Sequence, residues 1–247
     1  MKNQDYVEGR NPVIETLKSG RDIEKIIIAK GTNKGSINKI IGMAKKRKIV
    51  LQYVPKSKLD SMSKTKSHQG VMALVAAYKY KTIDDILELA EKRNEDPFVI
   101  ILDEIEDPHN LGSIIRTAEG AGAHGVIIPK RRSAGLTATV AKTSAGAVEY
   151  LPVAKVTNIS ATIEELKEKG LWIYGTDMDG DSYYYQQELK GPIGIVIGSE
   201  GSGMNRLVKE KCDFLVRIPM KGKVSSLNAS VAASVIMYEI LRQRSLG

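Results

Sequence analysis

From Pro97 onward the chain repeats one pattern: a short uninterrupted apolar run, a turn, then an amphipathic stretch. Residues 98–102 (FVIIL), 125–128, 151–153, 171–176, 193–197 and 214–218 read as strands. Residues 111–121, 137–144, 163–169 and 226–244 read as helices. A strand apolar on both faces must be buried on both, so these runs call for a parallel sheet with helices packed over each side, an α/β fold. No 20-to-50-residue repeat and no low-complexity tract interrupts the pattern.

The first 77 residues alternate in a similar way. Asn11-Pro12 has the cap and first-turn chemistry of a helix over 11–18 that stops at Gly20. Residues 25–29 form a β-branched run, 36–48 an amphipathic helix with a basic end, 49–54 an alternating strand and 70–77 a buried strand. A small β/α sandwich results. Between the halves, residues 78–96 carry an acidic segment with apolar spacing (Ile83, Ile86, Leu87, Leu89, Ala90), broken at Arg93-Asn94-Glu95-Asp96-Pro97. The expected plan is therefore a domain over 1–77, a linker over 78–96 and a second domain over 97–247, with a helix in the linker equally able to belong to the second domain.

Charge is distributed unevenly over this plan. Residues 1–80 hold 17 Lys and Arg against 6 Asp and Glu, whereas residues 97–247 hold 17 of each, within a net charge of +8. Basic excess confined to the first third, in the loops 30–34 and 56–66, points to a polyanion such as nucleic acid; lysines that only keep the surface soluble are the plainer alternative. One cysteine, Cys212, excludes an internal disulfide, and His68, His109 and His124 are scattered, so no metal site is expected. No run approaches the ~18 uncharged apolar residues of a membrane span, and Met1 to Asp5 lead into no signal-peptide core. A cytoplasmic protein without membrane contact is expected.

In a parallel α/β sheet, ligands bind beyond the carboxyl ends of the strands. Three such junctions are rich in Gly and polar residues: Asp103 to Arg116, Ile197 to Met204, and Ile218 to Ser230. Each has a bland alternative. The glycines at 198, 201 and 203 could be turn residues, lacking both dinucleotide spacing and a Gly-Lys-Ser/Thr ending. Asn110 could cap the helix bearing Arg116, Arg116 could be a surface ion-pair partner, and Ser226 could cap the last helix. The functional reading gains from coincidence, since the sheet would bring all three clusters together.

The clusters, with Asn110, Gly112 and Arg116 in the first, Gly198, Glu200, Gly201 and Gly203 in the second, and Ser226, Leu227, Asn228 and Ser230 in the third, resemble the three motifs of the SpoU (TrmH-type) RNA ribose 2'-O-methyltransferases. Gly9-Arg10-Asn11-Pro12 and Ser67-His68-Gln69-Gly70-Val71 resemble the L30e-like RNA-binding domain that precedes the catalytic domain in the 23S rRNA guanosine-2'-O-methyltransferase branch. The resemblance implies an α/β trefoil-knot (SPOUT) methyltransferase domain, an arrangement too rare to be inferred from pattern. It implies S-adenosylmethionine as cofactor, held at Gly198, Ile218 and Leu227 with Thr176 and Met220. Arg116, Asn110, Glu200, Ser226 and Asn228 would be catalytic. It further implies a homodimer, for which the apolar residues of the last helix (Val231, Val235, Ile236, Tyr238, Leu241) are the interface candidates, although half of them could equally pack on their own sheet. The implied substrate is a guanosine of 23S ribosomal RNA; a tRNA substrate of the same superfamily, or a non-catalytic role in RNA binding or ribosome assembly, are the competing readings. A nicotinamide-dependent dehydrogenase, suggested by the α/β pattern alone, lacks the glycine fingerprint after its first strand. The chain departs from the plain family pattern at Asp177 to Gln187, where three tyrosines (183 to 185) form either a base-stacking platform or a surface loop.

Overall fold

The computed structural model describes residues 5–21, 23–32, 35–75 and 78–245. In chain order the elements are β1 (Asp5–Glu8), α1 (Arg10–Lys18), β2 (Ile23–Ala29), α2 (Ser36–Lys46), β3 (Val50–Val54), α3 (Lys56–Met62), β4 (Val71–Val75), α4 (Ile83–Arg93), β5 (Phe98–Leu102), α5 (Pro108–Gly120), β6 (Gly125–Pro129), α6 (Ala138–Thr143), β7 (Val153–Val156), α7 (Ile159–Glu168), β8 (Trp172–Thr176), β9 (Ser182–Tyr183), β10 (Ile193–Ile197), α8 (Arg206–Lys211), β11 (Phe214–Arg217) and α9 (Ala229–Ser245). The chain divides into two units: Met1–Lys79 with Gly135–Tyr150, and Tyr80–Ala134 with Leu151–Gly247. Asn33 and Lys34 of the expected basic loop, and Ala76 and Ala77 at the end of the expected strand 70–77, lie outside the described residues.

The first unit is built on a four-stranded sheet ordered β1-β4-β2-β3, in which only the β2/β3 pair is parallel. Ile26, Ile28, Val71 and Ala73 bury one face with α1 (Val13, Leu17) and α2 (Ile37, Ile40, Ala44). The opposite face is narrower and closes with Ile27 and Met72 over Leu59. That contact explains a difference from the expected loop over 56–66: Leu59 is fully buried, so residues 56–62 fold as a helix and leave their lysines outside. Strand β1 was not foreseen, because four residues with one fully enclosed apolar side chain, Val7, carry too short a pattern.

Gly135–Tyr150, expected within the second domain, groups instead with the first unit. Glu149 is the anchor: its carboxylate accepts from Thr16 Oγ1 (3.2 Å), Ser19 Oγ (3.2 Å), Arg21 Nη1 (3.0 Å) and Tyr78 Oη (2.8 Å). Arg21 also stacks on the Tyr78 ring, its guanidinium 3.4 Å from the centroid. At Gly146, with φ at 93°, a Cβ would come within 2.5 Å of the Glu15 side chain.

The second unit holds a seven-stranded sheet ordered β7-β6-β5-β10-β8-β11-β9, parallel throughout. Every residue of β5, β6 and β10 is buried, as the continuous apolar runs require. The chain moves outward from β5 through β6 and β7, then crosses to β8, and β10 returns to fill the gap between β5 and β8. Strand order therefore reverses beside β10, the topological switch at which a crevice opens beyond the carboxyl ends. Residues 78–96 are no free connector. α4 begins with a capping box in which Thr82 and Asp85 exchange hydrogen bonds, and its Ile86 is buried where Gly125 of β6 leaves no room for a Cβ. It ends at Asn94 in the left-handed region, φ 54°.

Three helix starts differ from the expected ones: α7, expected from 163, begins at Ile159 with Asn158 as its cap, accepting from Ala161 N (3.2 Å). α5 begins at Pro108 with Asp107 as its cap, accepting from His109 N (2.9 Å), so Asn110 lies inside the helix. α9 begins at Ala229 rather than Ser226, and Asn228 caps it by accepting from Ser230 N (3.0 Å) and Val231 N (3.3 Å). Among the described residues no helix is long and apolar enough to cross a membrane.

Glu149→Ala is expected to destabilise the protein by about 2–4 kcal/mol in chemical denaturation, because it removes the acceptor shared by Thr16, Ser19, Arg21 and Tyr78. A loss below about 1 kcal/mol, the range of an exposed ion pair, would show that this anchor does not hold residues 135–150.

Candidate active site

The crevice beyond β8, β10 and β11 forms a cavity of about 750 Å³. Its wall includes Thr176 at the end of β8, Ile197 and Gly198 at the end of β10, Ile218 just past β11, and Met220, Ser226 and Leu227 from the segment leading into α9. All five residues expected to hold cofactor, Thr176, Gly198, Ile218, Met220 and Leu227, thus line one cavity. Thr176 is fixed by its hydroxyl, which donates to Val196 O (3.0 Å).

Gly198 allows backbone to pack on backbone at this wall. A Cβ on Gly198 would lie 2.3 Å from the Gly203 carbonyl carbon and 2.4 Å from Met204 N. The loop between them folds back on itself, Ser199 N donating to Gly203 O (2.9 Å) and Gly203 N to Ser199 O (3.0 Å). Outside the lining, Gly180 also lies close to the β11 backbone, with a Cβ position 2.7 Å from Val216 C. Among the described residues, no hydrogen bond uses the backbone of Met220 to Leu227. Peptide donors and acceptors along that segment are therefore available to a ligand. A cavity of this volume, walled by open peptide groups and apolar side chains, fits a nucleoside cofactor.

At its rim a polar cluster joins the three motif segments. Glu200 Oε1 accepts from Asn110 Nδ2 (2.7 Å), from Asn228 Nδ2 and from Ala229 N (3.3 Å). Asn228 Nδ2 also donates to Asn110 Oδ1 (3.0 Å). Asn228 is thereby used twice, its amide nitrogen in the cluster and its oxygen as the cap of α9. Ser226 lines the cavity but makes none of these bonds. Arg116 stands apart: it is exposed on α5, six residues beyond Asn110 and so about 9 Å along the axis, with no hydrogen bond or ion pair among the described residues.

The roles of two acidic residues at the site went unread in the sequence. Asp103, directly after β5, is buried and accepts from Asn205 N (2.7 Å), while its own N–H donates to Ile197 O (2.9 Å). Burial pushes its carboxyl above the usual range, against the lowering effect of that hydrogen bond. Asp177, directly after β8, pairs with Lys209 at 3.0 Å, and both line the cavity. In both cases the available signal was an acidic residue one position past a buried strand. Tyr183 also faces the cavity, with the Arg217 guanidinium 4.7 Å from its ring centroid and Tyr185 stacked on it at 5.5 Å. Cys212 is no candidate nucleophile, since burial, with the Asp213 carboxylate beside it, pushes its thiol up to about 12.

The parallel sheet, with its cavity beyond the strand ends, matches the α/β fold of the SPOUT methyltransferases. Residues 97–238 match the SpoU rRNA Methylase family, and residues 6–81 match the domain described as RNA 2'-O ribose methyltransferase substrate binding. The chain belongs to the SpoU/TrmH family of RNA methyltransferases. It is 57% identical over 244 residues to YacO of Bacillus subtilis (strain 168), named for the TrmH family of tRNA/rRNA methyltransferases, covering 99% of this chain and 98% of that one. Among solved structures it resembles the SpoU methyltransferase AviRb from Streptomyces viridochromogenes in complex with AdoMet, with a TM-score of 0.83 and 26% identity over 99% of this chain and 91% of AviRb. The A. aeolicus TrmH/SpoU tRNA modifying enzyme covers 66% of this chain and is itself covered to 82%, with a TM-score of 0.57 and 28% identity. The protein is an RNA methyltransferase.

Gly198→Ala sets a methyl group against the Gly203 backbone. It is expected to weaken S-adenosylmethionine binding, measured by calorimetry, by on the order of tenfold or more, given the 1–3 kcal/mol typical of overpacking. Unchanged affinity would show that the 198–203 turn does not shape the cofactor wall.

Proposed function

We propose that the protein methylates a ribose 2'-hydroxyl of ribosomal RNA, a guanosine of 23S rRNA in the reading the resemblance implies. The observation that carries this is the Asn110–Glu200–Asn228 cluster at the rim of the cavity, which joins three motif segments into one polar surface. Residues 1–77 would hold RNA and residues 97–247 would carry out the reaction. The match of residues 6–81 to a substrate-binding domain and the basic excess of residues 1–80 support that division. Ribosomal rather than transfer RNA is favoured because the A. aeolicus tRNA modifying enzyme corresponds to only 66% of this chain. A cytoplasmic location follows from such a substrate.

A ribose 2'-hydroxyl is a weak nucleophile at neutral pH, so the site must hold it in line with the methyl group and stabilise the negative charge that develops on its oxygen. When bound, S-adenosylmethionine supplies an electrophilic sulfonium methyl. Thr176, Gly198, Ile218, Met220 and Leu227 would hold it by side-chain contact and open peptide groups. Glu200 organises the loops: with three donors on one carboxylate oxygen, it fixes both asparagine amides. Asn110 and Asn228 then orient the ribose, and Ser226, on the cavity wall, offers it a separate hydroxyl. Arg116 is the group left with an uncommitted guanidinium. An arginine side chain stays charged, so its role is to bind an RNA phosphate and stabilise the developing alkoxide rather than to take the proton.

The protein would act as a homodimer through α9. Val231 and Tyr238 are exposed on that helix, whereas Ile236 is fully buried in its own unit and is withdrawn from the expected interface.

Arg116→Ala is expected to reduce methyl transfer by about 10²–10³ while leaving cofactor affinity nearly intact. Arg116→Lys keeps the charge without the planar fork, so partial rescue would assign the residue to electrostatics. Unchanged turnover in the alanine variant would remove Arg116 from the mechanism.

A further inference from the structure

The first unit holds a second cavity, of about 420 Å³, lined among others by Arg10, Lys56, Asp60, Lys66, His68 and Gln69. Its construction sets it apart from a patch of surface lysines. Buried His68 is fixed at both ring nitrogens: Nδ1 accepts from Gly70 N (2.9 Å), which puts the proton on Nε2, facing Asp60 Oδ1 at 2.8 Å. Glu8, also buried, accepts from Ser63 Oγ (2.6 Å), Lys64 N (2.8 Å) and the Thr65 hydroxyl, and so fixes the turn that delivers Lys66. Gln69 accepts from Arg10 N through its side chain (3.2 Å) and from Arg10 Nε through its carbonyl (3.1 Å). Lys66 and Gln69 both lie in the left-handed region, at φ 52° and 51°, a conformation rare outside glycine that persists only where its surroundings impose it.

These contacts engage Glu8, His68, one oxygen of Asp60 and, of the cationic nitrogens, Nε of Arg10. Among the described residues Arg10, Lys56 and Lys66 form no ion pair, and the terminal nitrogens of Arg10 form no hydrogen bond. The result is a concave, pre-shaped site with three uncommitted cations on its wall and one carboxylate, Asp60, whose second oxygen takes part in no hydrogen bond among the described residues. Cations alone would suit any polyanion. Cations beside a fixed acceptor match a phosphate joined to a group carrying N–H donors, as in a nucleotide.

We propose that this cavity seats one unpaired nucleotide of the RNA, its phosphate against Arg10, Lys56 and Lys66 and an N–H of its base on Asp60. It is a second recognition site, belonging to the first unit and additional to the ribose that is methylated. The inference rests on the reading that residues 1–77 hold RNA.

Binding and single-turnover methylation of ribosomal RNA from cells lacking the gene test it, with the full-length protein, over a KCl series and with inorganic phosphate as competitor. Arg10→Ala should weaken RNA binding about tenfold and lower the salt slope by about one, and Arg10→Lys should restore the slope. Lys56→Gln with Lys66→Gln should weaken binding further and lower the slope by no more than about one, because the three cations share one phosphate. Asp60→Asn keeps an oxygen for His68 but turns a donor toward the base, and should weaken binding about tenfold at unchanged slope. S-adenosylmethionine affinity should match the wild type in all four. Wild-type methylation with variant affinities and slopes unaltered would overturn the pocket and leave the proposed function standing. Altered slopes with Asp60→Asn silent, and displacement by phosphate alone, would reduce it to an anion site and overturn the nucleotide. A wild-type protein that neither binds nor methylates the RNA would overturn the underlying reading together with the pocket.

Discussion

One carboxylate oxygen, Oε1 of Glu200, accepts hydrogen bonds from Asn110, Asn228 and Ala229, residues far apart in the chain. Those three donors belong to the early part of α5 and the start of α9, and Glu200 itself lies just past β10. The bonds can form only because β10 enters the sheet between β5 and β8, which brings the loop after β10 beside the helix that follows β5. Sheet order, helix starts and the polar rim of the cavity therefore depend on one another. Asn228 shows the coupling most plainly, since the rotamer that caps α9 with its oxygen is the one that offers its amide nitrogen to Glu200.

The strands were the legible part of the sequence. β5 and β10 fall at the residues their apolar runs mark, because a strand enclosed on both faces has no polar position to blur its limits. Strand order was not legible, since it depends on crossovers that leave no periodic trace, and the knot entered only through the family resemblance. Helix starts were misread where two polar residues competed for the cap, as with Asp107 over Asn110 and Asn228 over Ser226. The grouping of Gly135–Tyr150 with the first unit was invisible for another reason. It turns on Glu149, a single charged residue whose four partners lie 71 to 133 positions away.

The candidate site divides along the same line. Residues expected to hold the cofactor all meet at one cavity, because each directly follows, or closely follows, a strand end that the sheet gathers. The expected catalytic residues separate into an organised cluster of Asn110, Glu200 and Asn228, a wall residue, Ser226, and an exposed Arg116. Motif membership did not distinguish these situations; hydrogen-bond partners do. A fixed cluster and a free guanidinium suit different tasks, the first holding a neutral ribose and the second meeting charge as it develops. Three of the basic residues of 1–80, Arg10, Lys56 and Lys66, line one shaped cavity in the first unit.

The central claim is that methyl transfer goes to a ribose oxygen. Tritium-labelled methyl from S-adenosylmethionine, incubated with the full-length protein and ribosomal RNA from cells lacking the gene, is followed by complete nuclease digestion and mass spectrometry of the labelled nucleoside. The account predicts label in a 2'-O-methylnucleoside at a single position. Label on a base, or RNA that remains unlabelled, would contradict it.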